Sequence, residues 1–422
     1  MRRALIILAA VIVLAGLAAA AYFFIFAKSP GLTAATNTNP FGNGAGNATN
    51  TGNNGTDTTG ASTNQGTVAV TERLVKVAVG PVVPGEVVFT SSSTAPVVAQ
   101  TVAAGTSTAS TTVSIPLPDT EIRYAERRSG NLFSYLFHSH VSTRIVNKTI
   151  PGVQEASWLP NGSIAYLRYA GGSAASPEID TYGLPADGSA GFLLPLNLAQ
   201  ALVTGSSSLF TLATGANGSI GSVSKSDGSA SHTVFSSPLA NITIAAAGKG
   251  QFVAYTKPTA LAAGYAYLID SAGGFTRILG PLTGLSVLPS PSGNWALFSY
   301  VDQGALKTQL YNVKTRVTLP LPIATLSEKC VWAPDESAVY CGVPIAGTVP
   351  SGTYPDDWYQ GAVSFTDQIW KIDVGGRFAQ LTLDFSSTAK SPLDATALAI
   401  DPKKDVLVFL NKRDGSLWAY DL

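Results

Sequence analysis

Downstream of residue 112 the chain alternates short apolar runs with turns at nearly constant spacing. The turns are Pro118-Asp119, Pro160-Asn161-Gly162, Gly205-Ser206-Ser207-Ser208, Gly248-Lys249-Gly250, Pro291-Ser292-Gly293, Pro334-Asp335-Glu336 and Asp401-Pro402-Lys403-Lys404. With Pro118, Pro160, Ser206, Gly248, Pro291, Pro334 and Pro402 as markers, the intervals are 42, 46, 42, 43, 43 and 68 residues. A period in the low forties suits one four-stranded blade, and the pattern predicts an all-β, seven-bladed β-propeller.

Each marker is expected to join the first and second strands of a blade. Cys330-Val331-Trp332-Ala333 precedes the Pro334 turn and Ala338-Val339-Tyr340-Cys341 follows it. Ala156-Ser157-Trp158-Leu159 and Ile164-Ala165-Tyr166-Leu167 repeat that frame. Such nearly continuous apolar runs fit strands buried on both faces between neighbouring blades. Third strands such as Gln368-Ile369-Trp370-Lys371-Ile372-Asp373 and fourth strands such as Thr276-Arg277-Ile278-Leu279 alternate more, as expected further from the centre. The Gly- and Ser-rich third blade, residues 206–237, is the weakest repeat.

The last blade is one strand short at the C-terminus. Upstream, Arg73-Leu74-Val75-Lys76-Val77-Ala78-Val79 has the pattern of an unassigned fourth strand and is expected to complete it. Closing the ring in this way removes an open sheet edge. The propeller is therefore assigned to residues 73–422, with residues 91–111 expected to loop from the closing strand to the first blade.

Trp158-Leu159-Pro160-Asn161-Gly162 and Trp332-Ala333-Pro334-Asp335-Glu336 resemble the repeat of the TolB-like propeller family, whose turn follows an aromatic-containing inner strand. The resemblance spans residues 112–422 and concerns architecture. It implies an extracytoplasmic protein-binding or scaffolding role. The extra N-terminal α/β domain of TolB itself is missing, so a TolB-type partner does not follow.

Residues 4–27 are apolar and uncharged, long enough to cross a bilayer as one helix. Arg2 and Arg3 precede them, which favours a cytoplasmic N-terminus and an exported remainder. A signal peptide cleaved after Ala18-Ala19-Ala20 is the rival reading, but Tyr22-Phe23-Phe24-Ile25-Phe26 prolongs the run beyond that site. Residues 1–28 are thus read as a single transmembrane anchor. Residues 29–72, rich in Asn, Thr, Gly and Ser, read as a disordered linker with too little apolar surface to order itself.

Formal net charge is zero and charged residues make up 12% of the chain. That leaves no basic stripe for nucleic acid, so the membrane contact expected is the N-terminal helix alone. Two cysteines, Cys330 and Cys341, flank the Pro334 hairpin. If Trp332 faces Val339, the register sets the cysteines opposite one another, within disulfide reach. Two buried free thiols are the alternative.

Chemistry is sparse. No Gly-X-Ser-X-Gly elbow occurs, and His138 and His140 around Ser139 lack the further ligands of a zinc site. No cofactor, metal or catalytic constellation is expected. Acids available to a glycan- or peptide-cleaving envelope hydrolase, the alternative reading, are Asp356, Asp357, Glu178, Asp180, Asp302, Glu328 and Asp367. A structural surface spacer is the third.

The long sixth interval marks the best binding candidate. Its extra residues fall in an insertion at 344–365, between the second and third strands of one blade, on the face where interblade connections emerge. The insertion carries Tyr354, Asp356, Asp357, Trp358 and Tyr359, and aromatics in an irregular loop are favoured in binding hot spots. The expected ligand is a protein or glycan of the cell envelope. The alternative is that Trp358 and Tyr359 only pack the loop onto the rim.

Overall fold

The computed structural model describes residues 72–92, 118–173 and 176–422. Seven four-stranded antiparallel sheets are formed, each pairing its strands in sequence order except the last. That last sheet takes Leu74–Ala78 as its outer strand beside Leu417–Asp421, with Leu74 opposite Tyr420 and Lys76 opposite Trp418. The ring is thus closed by a strand from the start of the folded part, as the orphan apolar run predicts.

Six of the seven marker turns join first and second strands as expected. Their chemistry recurs. Asn161 Oδ1 accepts from Ser163 N at 3.1 Å and Ser163 Oγ at 2.7 Å. Asp335 Oδ1 accepts from Ser337 N at 3.2 Å and Ser337 Oγ at 2.7 Å. A short polar side chain three residues before the strand thereby closes the turn on itself.

Pro118-Asp119 departs from the pattern. Pro118 opens the second strand of blade 1, Pro118–Ala125, and the first strand is Val87–Ser92. The low-complexity stretch therefore lies inside blade 1, between these two strands, and not between the closing strand and the blade. A Pro with no N–H to donate is tolerated at the first position of a strand. Asp119 serves a different turn: its carboxylate accepts from His138 N at 2.9 Å, Ser139 N at 3.1 Å and Ser139 Oγ at 2.6 Å.

Blade 3 is complete despite its weak pattern, its second and third strands pairing over Ser208–Gly215 and Gly218–Lys225. Small residues make room for large ones there. A Cβ on Gly221 would stand 2.3 Å from the ring of Phe235. That ring stacks on Phe210, with centroids 6.1 Å apart, and Phe210 meets Phe252 of blade 4 at 4.7 Å. The core is distributed in this way, as clusters wedged between adjacent blades.

The expected anchor at 1–28, nearly all of the linker at 29–72 and most of 91–111 lie outside the described residues. No helix among the described residues is long and apolar enough to cross a membrane.

Alternation of strand direction gives the ring two distinct faces. First-to-second and third-to-fourth turns form a hairpin face; second-to-third turns and interblade segments form a connection face. The insertion lies on the connection face, between Ala338–Pro344 and Asp367–Asp373 of blade 6. The closing strand starts on the opposite, hairpin face, since Leu74 pairs near the C-terminal end of Leu417–Asp421.

Candidate functional site

Blade 6 opens with the Cys330–Trp332 strand, in which Cys330 faces Cys341 and Trp332 faces Val339. The two cysteines form a disulfide with Cα atoms 4.1 Å apart. The Trp332 indole donates from Nε1 to Leu288 O of blade 5 at 3.2 Å, tying neighbouring inner strands together.

Immediately before that strand, Ser327–Lys329 makes one 3-10 turn. It delivers two side chains to the underside of the insertion. Lys329 is fully buried, and its ammonium donates to Asp367 Oδ2 at 2.7 Å, to Ala395 O at 2.9 Å and to Asp394 Oδ1. Glu328 is half-buried; it accepts from the Tyr359 hydroxyl and from Ser286 Oγ at 2.8 Å.

The insertion contains a single helical turn, Asp356–Tyr359. Tyr354, Trp358, Phe365 and Leu326 make a buried apolar cluster, with Val301 and Leu306 of blade 5 packed against it. Trp358 Nε1 donates to Asp394 Oδ2 at 3.0 Å, and the indole lies near both Lys329 Nζ (5.3 Å) and Lys412 Nζ (4.9 Å). Burial pushes the Lys412 ammonium below its ordinary pKa. Arg413 Nη2 donates to Phe365 O at 2.8 Å. On the other side, Asp356 accepts from Thr259 Oγ1 at 2.9 Å and from Ala260 N at 2.6 Å, both in the blade 4 loop. Asp357 accepts from Thr353 N at 2.7 Å and stays within the insertion.

The five insertion residues therefore divide by task. Tyr354 and Trp358 face the interior, Asp356 and Asp357 hold the loop, and Tyr359 remains 39% exposed. Leu261, beside Ala260 in the blade 4 loop, is 88% exposed. Burial and the facing Glu328 carboxylate push the Tyr359 phenol upward from its ordinary pKa, so it stays a hydrogen-bond donor. Deep to it, Tyr255 is displaced upward for the same two reasons.

Lys329 and Asp394 carry no sequence motif, yet they found the site. A lone lysine running directly into an apolar inner strand is the one signal that points to it. Of the other acids, Glu178 and Asp180 sit on the third strand of blade 2, away from the insertion's own contacts. His140 Nδ1 bonds the Tyr135 hydroxyl at 3.0 Å, and His232 lines a cavity of about 360 Å³ on the hairpin face with Lys249 and Gln251. Among the described residues no group of three or more His, Cys, Asp or Glu is arranged to hold a metal ion.

No family model matches the chain, and no curated protein matches it. Solved structures are similar to it. The β-propeller domain of the Trilobed protease from Pyrococcus furiosus is 7% identical with a TM-score of 0.46, over 72% of this chain and 89% of that one. Hydrazine synthase from Kuenenia stuttgartiensis is 11% identical with a TM-score of 0.46, over 72% and 92%. TolB from Acinetobacter baumannii is 8% identical with a TM-score of 0.41, over 72% and 77%. The protein is a seven-bladed propeller module that resembles TolB-like propellers, a likeness of fold.

Proposed function

We propose that the protein is a membrane-tethered, extracytoplasmic binding module that takes a protein or glycan of the cell envelope on its connection face. The observation that carries this reading is the pairing of an exposed contact surface with a rigid base. Leu261 is exposed and Tyr359 partly so, its hydroxyl turned onto Glu328, while the insertion beside them is fixed by Asp356 and floored by the buried Trp358. A platform ordered before its ligand arrives avoids the entropic cost of arranging it on binding. The half-buried Glu328 carboxylate, which the Tyr359 hydroxyl reaches, adds a polar group for orientation.

The closing strand enters the ring on the hairpin face, opposite the face that carries the insertion. Affinity capture from a detergent extract tests the proposal, comparing the wild-type chain with a Tyr359→Ala/Leu261→Ser double variant. Both changes lie at the surface and spare the buried floor. Deleting the insertion would instead strip the cover from Lys329 and confound binding with folding. Partners retained equally by both proteins would overturn the assignment of the face.

A further inference from the structure

Three fully buried charged side chains lie beneath the insertion. Lys329, Asp367 and Asp394 have no solvent exposure, and together they hold one cation and two carboxylates. Burial of such an unbalanced set is costly, and it favours whatever arrangement removes charge. Desolvation raises the Asp367 carboxyl above its ordinary pKa, and the neighbouring Asp394 pushes the same way.

The surroundings of Asp394 are asymmetric. Its Oδ2 accepts two N–H donors, Trp358 Nε1 at 3.0 Å and Phe365 N at 2.9 Å. Its Oδ1 faces the Lys329 amine. Two fixed donors at about 3 Å from one oxygen are what a developing oxyanion requires. Asp367 Oδ2 accepts from Lys329 Nζ at 2.7 Å and from Ala395 N at 2.7 Å, while Oδ1 is buried without a partner among the described residues. A carboxyl with one oxygen on the amine and the other unsatisfied is suited to carrying a proton. The rings of Trp358 and Phe365, 5.3 and 5.2 Å from Nζ, exclude water from the site.

We propose that Lys329 and Asp394 condense autocatalytically into an isopeptide crosslink, with Asp367 moving the protons. Asp367 takes a proton from the Lys329 ammonium and passes it to Asp394 Oδ1, giving a neutral amine and a neutral acid. Nζ then slides from Oδ1 onto the carboxyl carbon, and a C–N bond forms while the charge on Oδ2 is held by the two N–H donors. Asp367 moves a second proton from nitrogen to Oδ1. The C–Oδ1 bond breaks and that oxygen leaves as water with two of the three ammonium protons. The third remains on the amide nitrogen, Asp367 is again a carboxylate, and no oxidant or cofactor is consumed. The bond joins the entries of two consecutive inner strands and encloses blade 6, with its disulfide hairpin, in a loop that reducing agents cannot open.

Intact mass and peptide mapping of the full chain, purified and reduced, test the proposal. The expected mass is lower than that of the reduced linear chain by one water, with digestion yielding a branched peptide linking the Lys329 and Asp394 segments. A full-mass chain that yields two separate linear peptides would overturn it. So would a water loss mapped to a succinimide at Asp187-Gly188, Asp227-Gly228 or Asp414-Gly415, or a branch at Asp367. Asp367→Asn, checked for wild-type elution on size exclusion, is expected to keep full mass. Crosslinking of that variant to the wild-type extent would remove Asp367 from the mechanism.

Discussion

The Trp358 indole lies 5.3 Å from the ammonium nitrogen of Lys329, and neither side chain is more than 4% exposed. An aromatic residue that reads as a ligand contact in the linear chain is thereby a lid on a buried charge. Tyr359, its neighbour, keeps 39% of its surface exposed while its hydroxyl reaches Glu328. Substituting the two is expected to separate folding from binding. Trp358→Ala removes a buried aromatic and exposes the Lys329 cluster, at about 3–5 kcal/mol. Tyr359→Ala, at a partly exposed position, is expected to cost no more than about 1 kcal/mol. Urea unfolding of both variants decides this, and equal losses would contradict the division of roles.

Closure of the ring is open to a direct test. Arg73 lies 4.8 Å from the Tyr420 ring and Lys76 lies 4.6 Å from the Trp418 ring, so the closing strand adds cation–π contacts to its ladder. A chain beginning at residue 80 should leave the edge of Leu417–Asp421 unpaired and self-associate, whereas one beginning at residue 72 should stay monomeric. Size exclusion with light scattering distinguishes them. Identical monomeric profiles would show that the closing strand is dispensable.

Glu86 predicts a pH dependence. It lies in the segment joining the closing strand to blade 1, is only 9% exposed, and neither carboxyl oxygen has a side-chain hydrogen-bond partner among the described residues. Desolvation raises its pKa from an ordinary value near 4.5 to about 8. Between those values the unfolded chain has released a proton that the folded chain retains, so rising pH favours unfolding. Stability should therefore fall from pH 5 to pH 8, with a slope of up to about 1.4 kcal/mol per pH unit from this group. Glu86→Gln should flatten that part of the profile. An unchanged slope in the variant would show that Glu86 ionises normally.

The Cys330–Cys341 disulfide closes a short loop, and its removal in a Cys330→Ala/Cys341→Ala variant is expected to cost up to about 3 kcal/mol. Denaturation of the wild type with and without reductant should reproduce the shift. An unchanged transition after full reduction, verified by alkylation of both thiols in denaturant, would mean that the bridge adds nothing to stability.

Blade period, ring closure and the cysteine register were all legible in the linear chain because each depends on spacing along it. Turn residues recur where backbone dihedrals demand them, and the antiparallel ladder around Pro334 sets Cys330 against Cys341 once Trp332 meets Val339. The inner strand Val87–Ser92 is not legible in the sequence because its short apolar run is followed by a polar stretch that hides the link to Pro118. Location of the insertion was equally readable. What its aromatics do was not. Trp358 and Tyr359 are adjacent and similar in hydropathy, and only the surrounding blades decide which is covered. The same holds for Lys329, Asp367 and Asp394, separated by 38 and 65 residues from the lysine and brought together by the closure of blade 6 against blade 7. Local pattern determines which segments pair; distances between side chains on different blades arise only when the ring is assembled, because no short-range rule relates their positions.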